Sequence, residues 1–214
     1  MPLQNRVTPF GEIVAIAQRG LFMGNRGIIH DPATRTLLAR RWTNKAWIIC
    51  VCEFRGKKRA VMSRRSWTEL FFLDEAVALA AGHRPCYYCR RAAALAFAAA
   101  WSRAHRLTSV GAPDIDERLH AQRLQNGAQR IHALRGSPAE LPDGAMVVLS
   151  GEAYVLARGL AWRWSPSGYD APRTLRRADG LLTPPSTVAT LRAGYECTLH
   201  PRVSDVTDRR PASD

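Results

Sequence analysis

The sequence predicts an α+β protein: an antiparallel β-sheet bearing a cysteine knuckle, Ala-rich helices, and a C-terminal half rich in strands. Three observations predict it. Short β-branched, aromatic or alternating runs such as AWIICVCEF and AMVVLS recur between turn residues and read as a meander. Residues 90–106, RRAAALAFAAAWSRAHR, are dominated by alanine, the strongest helix former. Between these lies Gly82-His83-Arg84-Pro85-Cys86-Tyr87-Tyr88-Cys89, with two thiols at C-x-x-C spacing.

The 214 residues suffice for one large domain or two small ones, and 46% hydrophobic with 23% charged content describes an ordinary globular chain. The charge is not ordinary: 31 Lys and Arg against 18 Asp and Glu leave +13, with a pI near 10.5. Such an excess gathers polyanions and points to nucleic acid or an acidic partner, although a merely solvated basic surface has the same composition. Five cysteines in C-x-C and C-x-x-C clusters do not make a disulfide framework. MPLQNRVTPFGEI lacks the basic-then-apolar order of a signal peptide, and no run reaches the roughly 18 apolar residues of a membrane span. These features predict a cytoplasmic protein without membrane association.

In chain order, residues 1–46 read as loops and short strands. GEIVAI is one strand, and Met23-Gly24-Asn25-Arg26-Gly27 reads as a turn whose two glycines can take positive φ. Ile28–His30 and Leu37–Arg40 are hairpin arms around Asp31-Pro32, and AWIICVCEF is the best central strand. Arg55-Gly56-Lys57-Lys58-Arg59 is a turn carrying four cations, able to clamp phosphates or simply to be solvated. RAVMS and SWTELFF continue the meander, and a short Ala-rich helix then runs to the Gly82 stop. The helix of residues 90–106 packs through Phe97 and Trp101 at i, i+4 and carries Arg90, Arg91, Arg103 and Arg106 without a carboxylate. Residues 1–106 thus form a first unit.

Residues 107–200 form a second unit, opened by the loop LTSVGAP. A helix starts at Pro113 and runs to Asn126-Gly127, followed by the strands AMVVLS, EAYVLA and LAWRWS. Trp162 and Trp164 share one face of the last, either in a core or as stacking platforms. Thr183-Pro184-Pro185-Ser186 leads into the helix TVATLRAGY, closed by Gly194, and ECTLH reads as a strand. Residues 201–214 read as a flexible tail.

C-x-x-C spacing lets the sulfurs of Cys86 and Cys89 face one point while neighbouring N–H groups turn toward them, which suits tetrahedral zinc. A redox pair shares the spacing but opens a helix after a buried strand, whereas this one follows a helix and a glycine. Cys50 and Cys52 lie on the preceding strand, as ligands or as small core hydrophobes. Strand residues i and i+2 sit about 6.6 Å apart, whereas two sulfurs on one zinc come within about 3.8 Å. The simpler arrangement gives zinc Cys50, Cys86 and Cys89, with Cys52, His30 or His83 in fourth place. Cys197 and His200 are a more distant pair.

The stretch from 71 to 91 resembles the second half of the metal-binding domain of the Ada family of DNA-repair regulators. The matching residues are Phe71, Phe72, Glu75, Ala76, Ala81, Gly82, Arg84, Pro85, Cys86 and Cys89, with His83 in place of an aromatic. The first half of the family pattern, a C-R-P-S-C-like segment holding the methyl-accepting cysteine, has no counterpart. The resemblance therefore implies a zinc knuckle on a small β-rich platform and does not imply methyl transfer.

The expected function is a zinc-stabilised nucleic-acid-binding protein, DNA ahead of RNA, contacting its partner through Arg55, Lys57, Lys58, Arg59, Arg84, Arg90 and Arg91. Two alternatives stand beside it. Asp116 and Glu117 lie four and three residues before His120, the minimum for acid–base work in a metal-dependent nuclease or other phosphodiester hydrolase, and equally a surface ion pair. A zinc scaffold for an acidic protein is the other.

Overall fold

A computed structural model describes residues 1–208; the remainder of the expected tail, 209–214, lies outside the described residues. Six strands build the first sheet: β1 (Gln4–Val7), β2 (Ile13–Ala15), β3 (Phe22–Asn25), β4 (Ile48–Val51), β5 (Leu70–Phe72) and β6 (Arg84–Pro85). Their spatial order is β6-β4-β3-β5-β1-β2. Neighbours are antiparallel except at two joints, β1 with β5 and β6 with β4, which are parallel.

The expected turn at Met23–Gly27 is corrected in its first half, because Met23, Gly24 and Asn25 belong to β3 in the middle of this sheet. Gly24 permits a close backbone approach: a Cβ there would stand 2.1 Å from the Ile48 carbonyl oxygen and 2.9 Å from the Phe72 ring. A glycine in this sequence therefore marked packing, not reversal. The basic turn does form, with Glu53–Phe54 paired to Lys57–Lys58 across Arg55 and Gly56. Of RAVMS and SWTELFF, only β5 is strand. Met62 instead buries its side chain and donates its N–H to Glu69 Oε2 at 2.8 Å.

Helix α1 (Glu75–Ala80) begins where Asp74 accepts the Val77 N–H at 3.0 Å, and every one of its residues is buried. Gly82, at φ +79, ends it and lets the Arg123 side chain pack where a Cβ would sit, 2.6 Å away. Helix α2 (Arg91–His105) buries Ala94, Phe97, Ala100 and Trp101 on one face. Helix α3 (Ala112–Arg123) opens with Pro113 in its first turn and Asp114 accepting from the Gly111 N–H at 3.3 Å.

The second sheet is antiparallel throughout. It comprises β7 (Met146–Leu149), β8 (Glu152–Ala157), β9 (Leu160–Ser165), β10 (Gly168–Tyr169) and β11 (Gly180–Leu181), ordered β10-β9-β8-β7-β11. Trp162 is buried and Trp164 half-buried, so this face is core. Helix α4 (Pro185–Arg192) follows, and α5 (Pro201–Asp208) replaces the first part of the expected tail, held by the buried side chain of Val203.

ECTLH is not a strand. It is irregular chain fastened to the start of α1. Thr198 N–H donates to Glu75 Oε2 at 2.9 Å, and His200 N–H to Asp74 Oδ2 at 3.0 Å. Tyr169 and Tyr195 add hydroxyl hydrogen bonds to Asp74 and Glu75 at 3.0 and 2.6 Å. Arg90 completes the node with paired contacts to Glu75 at 2.8 and 2.9 Å. One cluster of buried side chains runs from Val7 to Val203, with α2 packed on α4 and α1 on β7. The expected units 1–106 and 107–200 therefore share a core.

Candidate metal centre

The parallel joint between β4 and β6 assembles the cysteines. Its register sets Pro85 beside Ile49, so Cys86, the first residue past β6, comes beside Cys50, which is still in β4 and paired with Met23 of β3. The Cys86 N–H donates to the Ile49 carbonyl at 2.9 Å, and the chain then turns tightly, with Arg90 N–H on the Cys86 carbonyl at 3.0 Å, returning Cys89 to the same point. The sulfurs of Cys50, Cys86 and Cys89 all lie within 4.8 Å of one another, and none is in a disulfide. Cys50 and Cys86 are buried and Cys89 half-buried.

Three thiols this close could hold a metal ion. A hydrogen bond from Cys50, then one from Cys89, pulls the Cys86 thiol well below its ordinary value, with further help from the N–H groups of Cys89 and Tyr88. The same Cys50–Cys86 contact pushes Cys50 far up. One thiolate is thus easy to form, and the others need a positive charge among them. Three sulfurs on one short turn and one strand end suit a soft-to-borderline ion.

The expected fourth ligands are corrected. β4 ends at Val51, so Cys52 falls in the bend beyond it and its Sγ faces the Leu21 carbonyl at 3.6 Å and that of Gly20 at 3.9 Å. His30 uses both ring nitrogens elsewhere, Nδ1 with Thr68 Oγ1 at 2.7 Å and Nε2 with the Arg64 carbonyl at 3.0 Å. His83 is fully buried between Trp47 and Phe72, bonded to Arg26 Nε at 3.3 Å and to the Ala78 carbonyl at 3.2 Å, and burial keeps it neutral. Cys197 packs against Gly144 in the other half of the chain. Among the described residues the centre is three thiols.

One cavity adjoins it and a second lies next to that one. The first, of about 370 Å³, is lined by the three thiols together with Met23, Ile48, Phe54, Trp67 and Tyr88. Met23, Cys52 and Arg59 are common to its wall and to that of a second cavity, of about 590 Å³, bounded by Arg6, Arg19, Arg35 and Arg59. Arg6 lies 4.8 Å over the Phe71 ring, and its pKa is lowered by burial and then by Arg19. Glu53 also lines this cavity. No local pattern of residues announces this groove, because its arginines come from four separate segments that only the sheet order gathers.

Several expected nucleic-acid contacts are corrected in turn. Arg84 is buried in a two-point ion pair with Asp116 at 2.8 and 2.7 Å, and Arg90 belongs to the Glu75 node. Both are internal fasteners. Arg91 is exposed at the start of α2, and Arg55 is exposed at the hairpin tip, 5.1 Å over Phe54 and 5.9 Å over Tyr88. Arg59 donates to Glu69 at 2.8 Å while lying 3.8 Å over Trp67. The side chains of Lys57 and Lys58 lie outside the described residues.

The carboxylate–imidazole pair is corrected as well. Asp116 is taken by Arg84, and Glu117 pairs with Lys45. His120 instead meets the Arg123 guanidinium at 3.0 Å through Nδ1 and the edge of Trp42, with ring centroids 4.6 Å apart. Arg123 and Arg26 also bracket Trp47, their guanidinium carbons 3.8 and 4.0 Å from its ring centroid. Burial brings the pKa of each arginine down to about 9.

No family model, curated protein or solved structure matches this chain. No helix among the described residues is long and apolar enough to cross a membrane.

Proposed function

We propose that this chain is a zinc-organised, basic nucleic-acid-binding protein whose partner is DNA ahead of RNA. The observation that carries the reading is the groove of Arg6, Arg19 and Arg35, which shares a wall with the thiol-lined cavity, in a protein of net charge +13. A concave surface lined by guanidinium groups collects phosphates, which a flat solvated surface does less well. Arg6 over Phe71 in this groove, and Arg55 over Tyr88 at the thiol-lined cavity, add cations stacked on aromatic rings. Zinc is the ion of choice because three thiolates and a short C-x-x-C turn match its sulfur chemistry. The resemblance of residues 71–91 to the Ada family supports DNA repair or its regulation as the setting.

Fluorescence anisotropy on labelled DNA across a salt series tests this. Binding should weaken steeply with salt, and Arg6→Ala, Arg19→Ala and Arg35→Ala together should flatten the log–log slope by about 0.7–0.9 for each phosphate that those arginines neutralise. A slope unmoved by the triple variant, or no binding at low salt, refutes the reading. Elemental analysis should return one zinc per chain in the wild type and none in Cys86→Ser.

A further inference from the structure

The three-thiol centre leaves one tetrahedral position without a protein ligand among the described residues, and the cavity of about 370 Å³ is what adjoins it. On the protein side the sulfurs are backed by the knuckle, where the Tyr88 N–H donates to Cys86 Sγ at 3.4 Å. Around the cavity lie Met23, Ile48, Phe54, Trp67 and Tyr88, thioether, aliphatic and aromatic groups, with Cys52 and Arg59 on the same wall. A zinc site closed by four protein ligands is structural, whereas one with three and a cavity keeps an exchangeable place. The volume falls within the range of small-molecule sites.

We infer that this position takes an exogenous small thiol whose apolar body fills the aromatic cavity. The inference rests on the metal reading above and extends it. Three thiolates would make the ion soft, which favours a sulfur donor over phosphate or carboxylate oxygen. The cavity wall gives an oxygen ligand little to bond with: its one guanidinium, Arg59, is already held by Glu69 and Ser66 at 2.8 and 2.9 Å. Phe54 and Tyr88, with ring centroids 5.1 Å apart, offer an aromatic surface, and Tyr88 is 71% exposed, so the cavity opens to solvent. Binding is an exchange. The S–H bond of the incoming thiol breaks, its proton passes to solvent, and its sulfur takes the place solvent would otherwise hold. No electrons change hands.

The test uses the full-length protein loaded with cobalt(II) or zinc, and two probes of one shape: benzyl mercaptan and benzyl alcohol. The mercaptan should raise sulfur-to-cobalt charge-transfer absorbance by about a third, as three thiolates become four, and X-ray absorption on the zinc form should count three sulfurs before and four after. The alcohol should do neither. Tyr88→Ala should keep the metal and weaken the mercaptan about tenfold, because less apolar surface is buried against the ligand, while Cys52→Ser should leave the resting count at three. Four sulfurs at rest that fall to three in Cys52→Ser would mean the chain closes its own site and would overturn the inference. So would a three-sulfur centre that ignores the mercaptan or answers both probes alike. A protein that takes up neither metal removes the metal reading itself, an outcome visible before any probe is added.

Discussion

Two buried polar clusters flank α1, and they differ in how completely the chain satisfies them. At its start, Glu75 receives both arms of Arg90, the Tyr195 hydroxyl and the Thr198 N–H, so its four lone-pair sites are taken by the protein. Beyond its end, Cys50, Cys86 and Cys89 bring three thiols within 4.8 Å of one another. The first is a fastener. The second could hold a metal ion, and a cavity stands beside it. Completeness of the hydrogen-bond partners, more than burial, separates polar groups that hold the fold from those that serve a ligand.

The largest expected effect should break the fastener. Glu75→Gln leaves Arg90 buried without its countercharge and should cost about 3–5 kcal/mol in urea unfolding. Adding Arg90→Leu should recover part of that loss. A cost below that of stripping the metal would reverse the ranking of the two clusters.

The next effect is a pH dependence within the fastener. Burial pushes the Asp74 carboxyl up to about 6, against the opposing hydrogen bonds from Val77, His200 and Tyr169. Between the ordinary carboxyl value and 6, the folded protein holds a proton that the unfolded chain has released. The contribution of this site is therefore complete at low pH and lost as pH rises through 6, by about 3 kcal/mol in all. Unfolding free energies at pH 4 and 7 should show that decline in the wild type relative to Asp74→Asn. Parallel curves would refute it.

Metal removal comes third. With free zinc at a hundred times its Kd, chelation should lower stability by about 2.7 kcal/mol, and Cys86→Ser should not respond to the chelator. The smallest effect is an expected silence. Cys50, the cluster sulfur on the strand, is buried at the end of β4, so methylated phosphotriester DNA should leave its mass unchanged. A stoichiometric methyl adduct on Cys50 or Cys52 would overturn that expectation.

What could be read from the residues was local. α1, α2 and the three strands β7, β8 and β9 stand where alanine content and alternation put them, and the spacing argument, which favoured one of Cys50 and Cys52 beside the knuckle without choosing between them, fits a cluster that includes Cys50 alone. What escaped depends on partners distant in the sequence. Gly24 looked like a turn because the close approach of Ile48 is invisible in a linear string. ECTLH looked like a strand because its hydrogen-bond partners are side chains of Asp74 and Glu75. Arg84 and Arg90 looked like phosphate contacts because their carboxylates lie on other elements.

The Glu75 node also sets an order in time. Its carboxylate is synthesised 120 residues before the Tyr195 hydroxyl that binds it and 123 before the Thr198 N–H. On a ribosome making about 5–20 residues per second, the start of α1 leaves the exit tunnel long before its partners exist. Until then Glu75 and Asp74 face burial without those bonds, and the first sheet has every reason to stay open and hydrated. The knuckle, by contrast, needs only residues 50 to 89, so its thiols can meet a metal ion while the rest of the chain is still being made.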